Sequence, residues 1–331
     1  MGHQILEHDN IAWVQEPPWH KLGVGVPKHM TASEAIVLAK LDWPVKKHRL
    51  YFKHEGHMQL VEQNFALVRE DIGLPLSIVG DNYVPVQNKQ AFDFVDDILG
   101  DPNGPFIEVA GSLNNGRVVW ILVNLNMVIG ICNADYIKTY LLFVNRNTGK
   151  HATECFRTRV RVVCNNTLEI ANASTDVKYR HRHIRQIQKE DASIVREMLN
   201  ISLEETVSLT EIFGKFAETP ASSDEVESFI NDEVLPYPKP CTEIGTKRIN
   251  SHRLDVKYLI NNGCNNQVAK GTWWPVYNGI VEWADWVKPA PKGDSKKATS
   301  MGAEDARMHS IWFGPIAEFK QDVFRKVLAH V

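Results

Sequence analysis

The sequence lacks several features that would narrow its chemistry at once. It has no CxxC pair, and its five cysteines (Cys132, Cys155, Cys164, Cys241, Cys264) are odd in number. That argues against a structural zinc site and for free thiols in a reducing compartment. No apolar run reaches the ~18 residues that a membrane span needs. The opening MGHQILEHDN has no basic stretch followed by an apolar one, so no secretory signal is read there. A soluble, cytoplasmic protein without a membrane partner is expected. GxxxxGK[ST] and GxSxG are both missing, and Gly23-Val24-Gly25 lacks the third glycine of a dinucleotide loop. No nucleotide hydrolysis, serine-hydrolase chemistry or cofactor is expected. A global basic field is missing too. The net charge is −3 over 331 residues, so any contact with nucleic acid must be local.

What the chain does contain is a stretch of strict alternation, CFRTRVRVVCNNTL at 155–168. Arg157, Arg159 and Arg161 alternate with Thr158, Val160 and Val162, the period of a half-buried strand. Arginines two residues apart stand ~6.6 Å apart on one face. Such a row repels itself unless something negative covers it. Phosphate oxygens match the guanidinium fork, and so do cross-strand carboxylates. Asn165-Asn166-Thr167 then reads as a turn capping a short helix, Leu168 to Ala173. A second run, VKYRHRHI at 177–184, carries Lys178, Arg180 and Arg182 between Tyr179, His181 and His183. Side by side, the two runs would make a basic sheet surface edged by aromatic rings. Cations tracking phosphates beside rings that stack on bases is the usual arrangement for single strands. Tyr179 and Trp120 are the candidate stacking rings.

Around these runs the chain reads as α+β. An irregular N-terminal segment and helix occupy 1–44, with Thr31 and Glu34 forming a capping box. An antiparallel-sheet α+β core with the basic strands follows over 45–185. Its pieces include FALVRE (65–70), LSIVG (76–80), NYVPV (82–86), IKTYLLFVN (137–145) and a hairpin about Asn115-Gly116. A helix is expected over Gln90–Leu99, burying Phe92, Val95 and Leu99. Residues 186–235 form a helical extension, with a long helix over Lys189–Phe216 and a second capping box at Ser222 and Glu225. Pro236, Pro238 and Pro240 mark the boundary to a helical, tryptophan-rich region over 241–331.

Other chemistry is weaker. His54-Glu55-Gly56-His57 is not HExxH. Asp93, Asp96, Asp97 and Asp101 suit a divalent cation in a nuclease, or the wet side of a helix. Cys164 beside the arginines could be a nucleophile, or simply a small residue closing a strand. Most of Trp273, Trp274, Trp283 and Trp286 belong in a helix core.

Together WHKLG (19–23), YVPVQN (83–88), AGSLNNGRVVW (110–120), RVRVVCNNTL (159–168) and GTWWPVYNGIVEWADW (271–286) resemble the phage/plasmid-like protein family named domain of unknown function 932, and FGP (313–315) fits its closing segment. The resemblance implies a phage, prophage or plasmid origin, hence a bacterial host cytoplasm, and no reaction. At the level of fold and charge, the chain also looks like the single-strand annealing recombinases of phages, the Red-beta, RecT and Erf group. That likeness implies an oligomeric ring or filament holding one DNA strand, with a phage exonuclease or single-strand-binding protein as further partners. The expectation is therefore a single-stranded DNA-binding and annealing protein acting in recombination or replication, with Arg157, Arg159, Arg161, Lys178, Arg180 and Arg182 on phosphates. The alternatives are a metal-dependent enzyme on nucleic acid, using the Asp93, Asp96 and Asp97 cluster, and a phage protein that inhibits a host factor.

Overall fold

In a computed structural model, β1 (Ile11–Val14), β2 (Val24–Val26), β6 (Phe106–Leu113), β7 (Val118–Ile131), β8 (Asp135–Arg146), β9 (Thr153–Arg161), β10 (Asn166–Leu168) and β11 (Tyr179–His181) form one sheet. A second, three-stranded sheet holds β3 (Val45–His54), β4 (His57–Arg69) and β5 (Leu74–Gly80). The structure describes residues 10–14, 24–26, 30–99, 104–132, 135–149, 153–161, 166–168, 179–185, 191–264, 266–289, 310–311 and 314–331.

The large sheet runs β10-β9-β8-β7-β6-β1-β2, and β11 shares the outer edge of β9 with β10. All its pairings are antiparallel except β1 with β2. The β6–β7 turn is the expected one. Asn114, Asn115 and Gly116 all take positive φ. A Cβ at Gly116 would stand 2.6 Å from the Trp43 ring. Arg69 locks that turn to the small sheet: its guanidinium lies 4.4 Å from the centre of the Trp43 ring, pairs with Asp71 and donates to the Asn115 carbonyl.

Alternation along β7 sorts the core into layers. Val119, Ile121 and Val123 face the main core with Leu141, Phe143 and Cys155. Trp120 faces the other way, with Leu142, Val144 and Phe156. Past an irregularity between Asn124 and Val128, the same hairpin contributes Ile129, Ile131 and Ile137 to a helical core. One β-hairpin thus belongs to both cores.

The main core is closed by α1 (Ala32–Leu38), α2 (Asn88–Phe92) and a 3-10 turn over Asp93–Ile98. The Thr31–Glu34 capping box is formed. The helical core contains α3 (Asp191–Glu218), α4 (Ser223–Ser228) running into a π-helical turn over Phe229–Val234, α5 (Glu243–Asn262), α6 (Trp273–Glu282) and α7 (Pro315–Leu328). Trp273, Trp274 and Trp283 are buried there. Phe213 packs edge-on to Trp274 at 5.3 Å. Gly279 lets α6 approach α5 closely, since a Cβ there would meet the Ile260 backbone at 2.6 Å. The chain is α+β.

Three expectations need correcting. The 82–86 piece is not a strand; Tyr83 N–H donates to Gly80 O and Val84 N–H to His183 O. Leu168 does not open a helix but ends β10, opposite Arg159. The helix expected over 90–99 is α-helical only to Phe92 and then tightens to 3-10, although Phe92 and Val95 are buried as expected.

Candidate nucleic-acid interface

The two basic runs do meet, as neighbouring antiparallel strands, but their register separates the charges. Tyr179 pairs with Cys155 and Arg180 with Glu154. Directly opposed residues share a face and successive residues alternate. Arg180 therefore stands on the Glu154 face, while Arg157 shares the Cys155 face. One continuous basic surface is not formed by the described residues.

Arg157 is half-buried, and its cross-strand partner Leu141 is completely buried. The backbones of Arg159 and Arg161 pair with Thr139 and Ile137, both fully buried. The side chains of Arg159 and Arg161, and all of Lys178, lie outside the described residues, as does Cys164. Arg180 is exposed and sits 3.4 Å from Glu154, which also accepts from the buried Arg146. Arg182 is exposed. The two rings offered for stacking are buried: Tyr179 is 2% and Trp120 5% exposed, on opposite faces of the sheet. Burial pushes the Cys155 thiol well above its ordinary pKa, so it is not an activated nucleophile.

Two of the carboxylates suited to a metal hold a helix end. Asp96 accepts from Ala32 N–H and Asp93 from the Ser33 hydroxyl, both in the first turn of α1. Negative charge there meets the positive end of the helix. Burial raises the Asp96 pKa against that favourable backbone contact. The Asp97 side chain and Asp101 lie outside the described residues. Among the described residues, no three His, Cys, Asp or Glu side chains gather as metal ligands.

Behind the basic runs lies a neutral chain of hydrogen bonds. Tyr83 Oη donates to His183 Nδ1 at 2.5 Å, and His183 Nε2 donates to Thr153 Oγ1 at 3.0 Å. Thr153 donates to Asn145 Oδ1 at 2.9 Å, Asn145 to Asn88 Oδ1 at 3.1 Å, and Asn88 to the Leu41 carbonyl at 2.9 Å. Every donor has one acceptor in this direction only if His183 is neutral. Burial, helped by nearby His181, lowers its pKa from 6.5 to about 4, and burial raises that of Tyr83. The network ties β8, β9, α2 and the segment after β11 together.

Exposed cations and rings come together on the small sheet. The last residue of β4 paired to β5 is Asn64, opposite Gly80, whereas β3 and β4 stay paired out to His54 and His57. Residues 51–60 are exposed without exception, so this part is a two-stranded ribbon wetted on both faces. Tyr51 and Leu60 pair across one face, next to Lys53 and Met58. Phe52 and Gln59 pair across the other, next to His54 and His57. Tyr51 is 53% and Phe52 48% exposed. At the base, Lys46 and His48 are held by Glu70, and Lys47 lies 4.4 Å over the Phe65 ring. Arg49 and Lys53 have no carboxylate partner among the described residues. Over 46–62 there are four Lys or Arg against Glu55 and Glu62, a local excess of cations in an acidic chain. Sequence reasoning passed over this ribbon, though KKHRLYFKHEGH carried the signal: cations and aromatic rings interleaved about a tight turn.

A family model described as Domain of unknown function (DUF932) matches residues 75–312. No curated protein and no solved structure matched the chain.

Proposed function

The chain belongs to the DUF932 family, and from that premise we propose that it binds single-stranded DNA and anneals it, in recombination or replication of a phage-type element. The observation that carries the reading is the β3–β4 ribbon, with Tyr51, Phe52 and Lys53 exposed together on a narrow two-faced arm and Arg49 exposed at its base. Folding does not account for it. A two-stranded hairpin is marginal by itself, and half-exposed rings paired across it with Leu60 and Gln59 contribute only ~0.2–1 kcal/mol each. Rings stack on any base and cations follow the phosphates, so binding is tolerant of sequence. Arg182 is a further exposed cation; Arg157 and the ion-paired Arg180 are secondary in this reading.

The test is a fluorescence-anisotropy titration with labelled oligo-dT, beside annealing of complementary oligonucleotides in EDTA. Stacking is worth ~1–3 kcal/mol per base. Tyr51→Ala/Phe52→Ala should therefore weaken binding by about tenfold or more, with thermal unfolding unchanged. Two phosphate contacts, from Arg49 and Lys53, give a slope of about −1.4 in log K against log salt, and Arg49→Ala/Lys53→Ala should flatten it. Cations also guard an edge strand such as β3 against unwanted pairing. If that were their only role, the second variant would aggregate while still binding with full affinity, and the proposal would fall.

A further inference from the structure

The two faces of the β3–β4 ribbon differ in charge. Side chains alternate along a strand, so Arg49, Tyr51 and Lys53 share one face of β3, and Leu50, Phe52 and His54 share the other. The irregularity between Arg49 and Leu50 leaves this alternation intact, because its extra residues, Glu62, Gln63 and Asn64, are inserted in β4. Across the ribbon, Leu60 and Met58 complete the Tyr51 face, while Gln59 and His57 complete the Phe52 face. Lys47 also belongs to the Tyr51 face, but its ammonium donates to the Asp81 and Tyr83 carbonyls. Lys46 is on the Phe52 face and is held by Glu70, as is His48. Arg49 and Lys53, the exposed cations without a carboxylate partner among the described residues, are therefore both on the Tyr51 face.

Exposure does not separate the two rings, since Tyr51 is 53% and Phe52 48% exposed. Their flanks do. Residues two apart on a strand stand ~6.6 Å apart, so Arg49 and Lys53 lie on either side of Tyr51 along one line. A base can lie on that ring while the phosphates on each side of it meet a guanidinium and an ammonium. Phe52 has the aliphatic Leu50 on one side, and on the other His54, whose ring is 4.0 Å from the Glu55 carboxylate.

Resting on the reading of the ribbon as a single-strand arm, we propose that it takes the strand on one face only. The DNA lies along Arg49, Tyr51 and Lys53, Tyr51 is the stacking ring, and Phe52 stays outside the contact. The loss expected for Tyr51→Ala/Phe52→Ala then belongs to Tyr51.

The experiment puts the same change of charge on each face of the full chain and reads binding of labelled oligo-dT. Met58 lies directly opposite Lys53 and Gln59 directly opposite Phe52; both are exposed, so thermal unfolding should not move. Met58→Glu brings a carboxylate to Lys53. Binding should weaken about tenfold, and the slope of log K against log salt should fall from about −1.4 to about −0.7 as one phosphate contact is lost. Gln59→Glu should leave affinity and slope as in the parent, since a charge on the far face is screened over ~8 Å at physiological salt. Met58→Lys should instead steepen the slope to about −2.1, and Gln59→Lys should not. Tyr51→Ala alone should match the loss of the double variant. If the parent binds and Gln59→Glu weakens it as much as Met58→Glu, or if Tyr51→Ala gives only part of the double variant's loss, the one-faced contact is refuted while the ribbon reading stands. If the parent does not bind oligo-dT, or if neither glutamate changes its binding, the ribbon reading falls and the one-faced contact falls with it.

Discussion

His183 should make the stability of this protein depend on pH between about 6.5 and 4. Its ring accepts from Tyr83 and donates to Thr153, which requires the neutral form. Burial lowers its pKa from the ordinary 6.5 to about 4. As pH falls below 6.5 the unfolded chain takes up a proton that the folded chain refuses. The stabilisation is complete above about pH 6.5, declines by ~1.4 kcal/mol per pH unit on the way down, and levels off below about pH 4. The full loss is about 3 kcal/mol, a large share of the ~5–15 kcal/mol that holds a typical domain together. Carboxylates titrate at the lower end of the same window, so the measurement must be a difference. Urea unfolding is followed at several pH values from 7.5 to 4 for the parent chain and for His183→Gln. The glutamine variant carries a fixed penalty but cannot titrate. The gap between the two curves should therefore close by about 3 kcal/mol as pH falls from 7 to 4. Parallel curves, or an NMR titration of His183 with a midpoint near 6.5, would refute the reasoning.

The other predictions concern charges. Lys320 and Asp285 form an ion pair, 3.0 Å apart and almost wholly buried, so Lys320→Ala should cost ~3–5 kcal/mol in urea unfolding. Lys320→Met/Asp285→Leu should recover most of that loss, because it leaves no buried charge behind. Arg180→Ala removes an exposed partner of Glu154 and should cost ~1 kcal/mol or less, whereas Glu154→Ala takes a carboxylate from the buried Arg146 and should cost more, about 3 kcal/mol. Burial already lowers the Arg146 pKa to about 10, which shows how poorly that charge is solvated.

Much of the fold is legible where local chemistry decides the structure. Thr31 with Glu34, and Ser222 with Glu225, begin helices because each pair satisfies backbone donors within one turn. Asn115-Gly116 turns the β6–β7 hairpin because it tolerates positive φ. Helix α5 runs over the expected residues and Gly263 ends it. Legibility fails where distant partners decide. Tyr83 to Val86 has β-prone residues, but Val84 N–H is taken by His183 O and Tyr83 by the His183 ring. The reach of β4 is hard to read because the alternation of His57 and Gln59 with Met58 and Leu60 breaks at Val61-Glu62-Gln63-Asn64, and pairing with β3 carries the strand.

The arginine run and the ribbon show why the site was harder to read than the fold. A period of two says which residues share a face; it does not say which face is covered. In β9 that is settled by neighbours remote in sequence. Cys155 is fully buried against the main core, and Arg157 shares its side of the sheet and is half-buried. Arg180 is one residue out of step through its pairing with Glu154 and falls on the other face. In the ribbon no third strand or helix among the described residues covers either side, and residues on both faces are exposed. Tyr51 and Phe52, adjacent in sequence, project to opposite faces and are both exposed. A cation or ring on a strand is therefore easiest to place where the strand has fewest neighbours, as at residues 51–60.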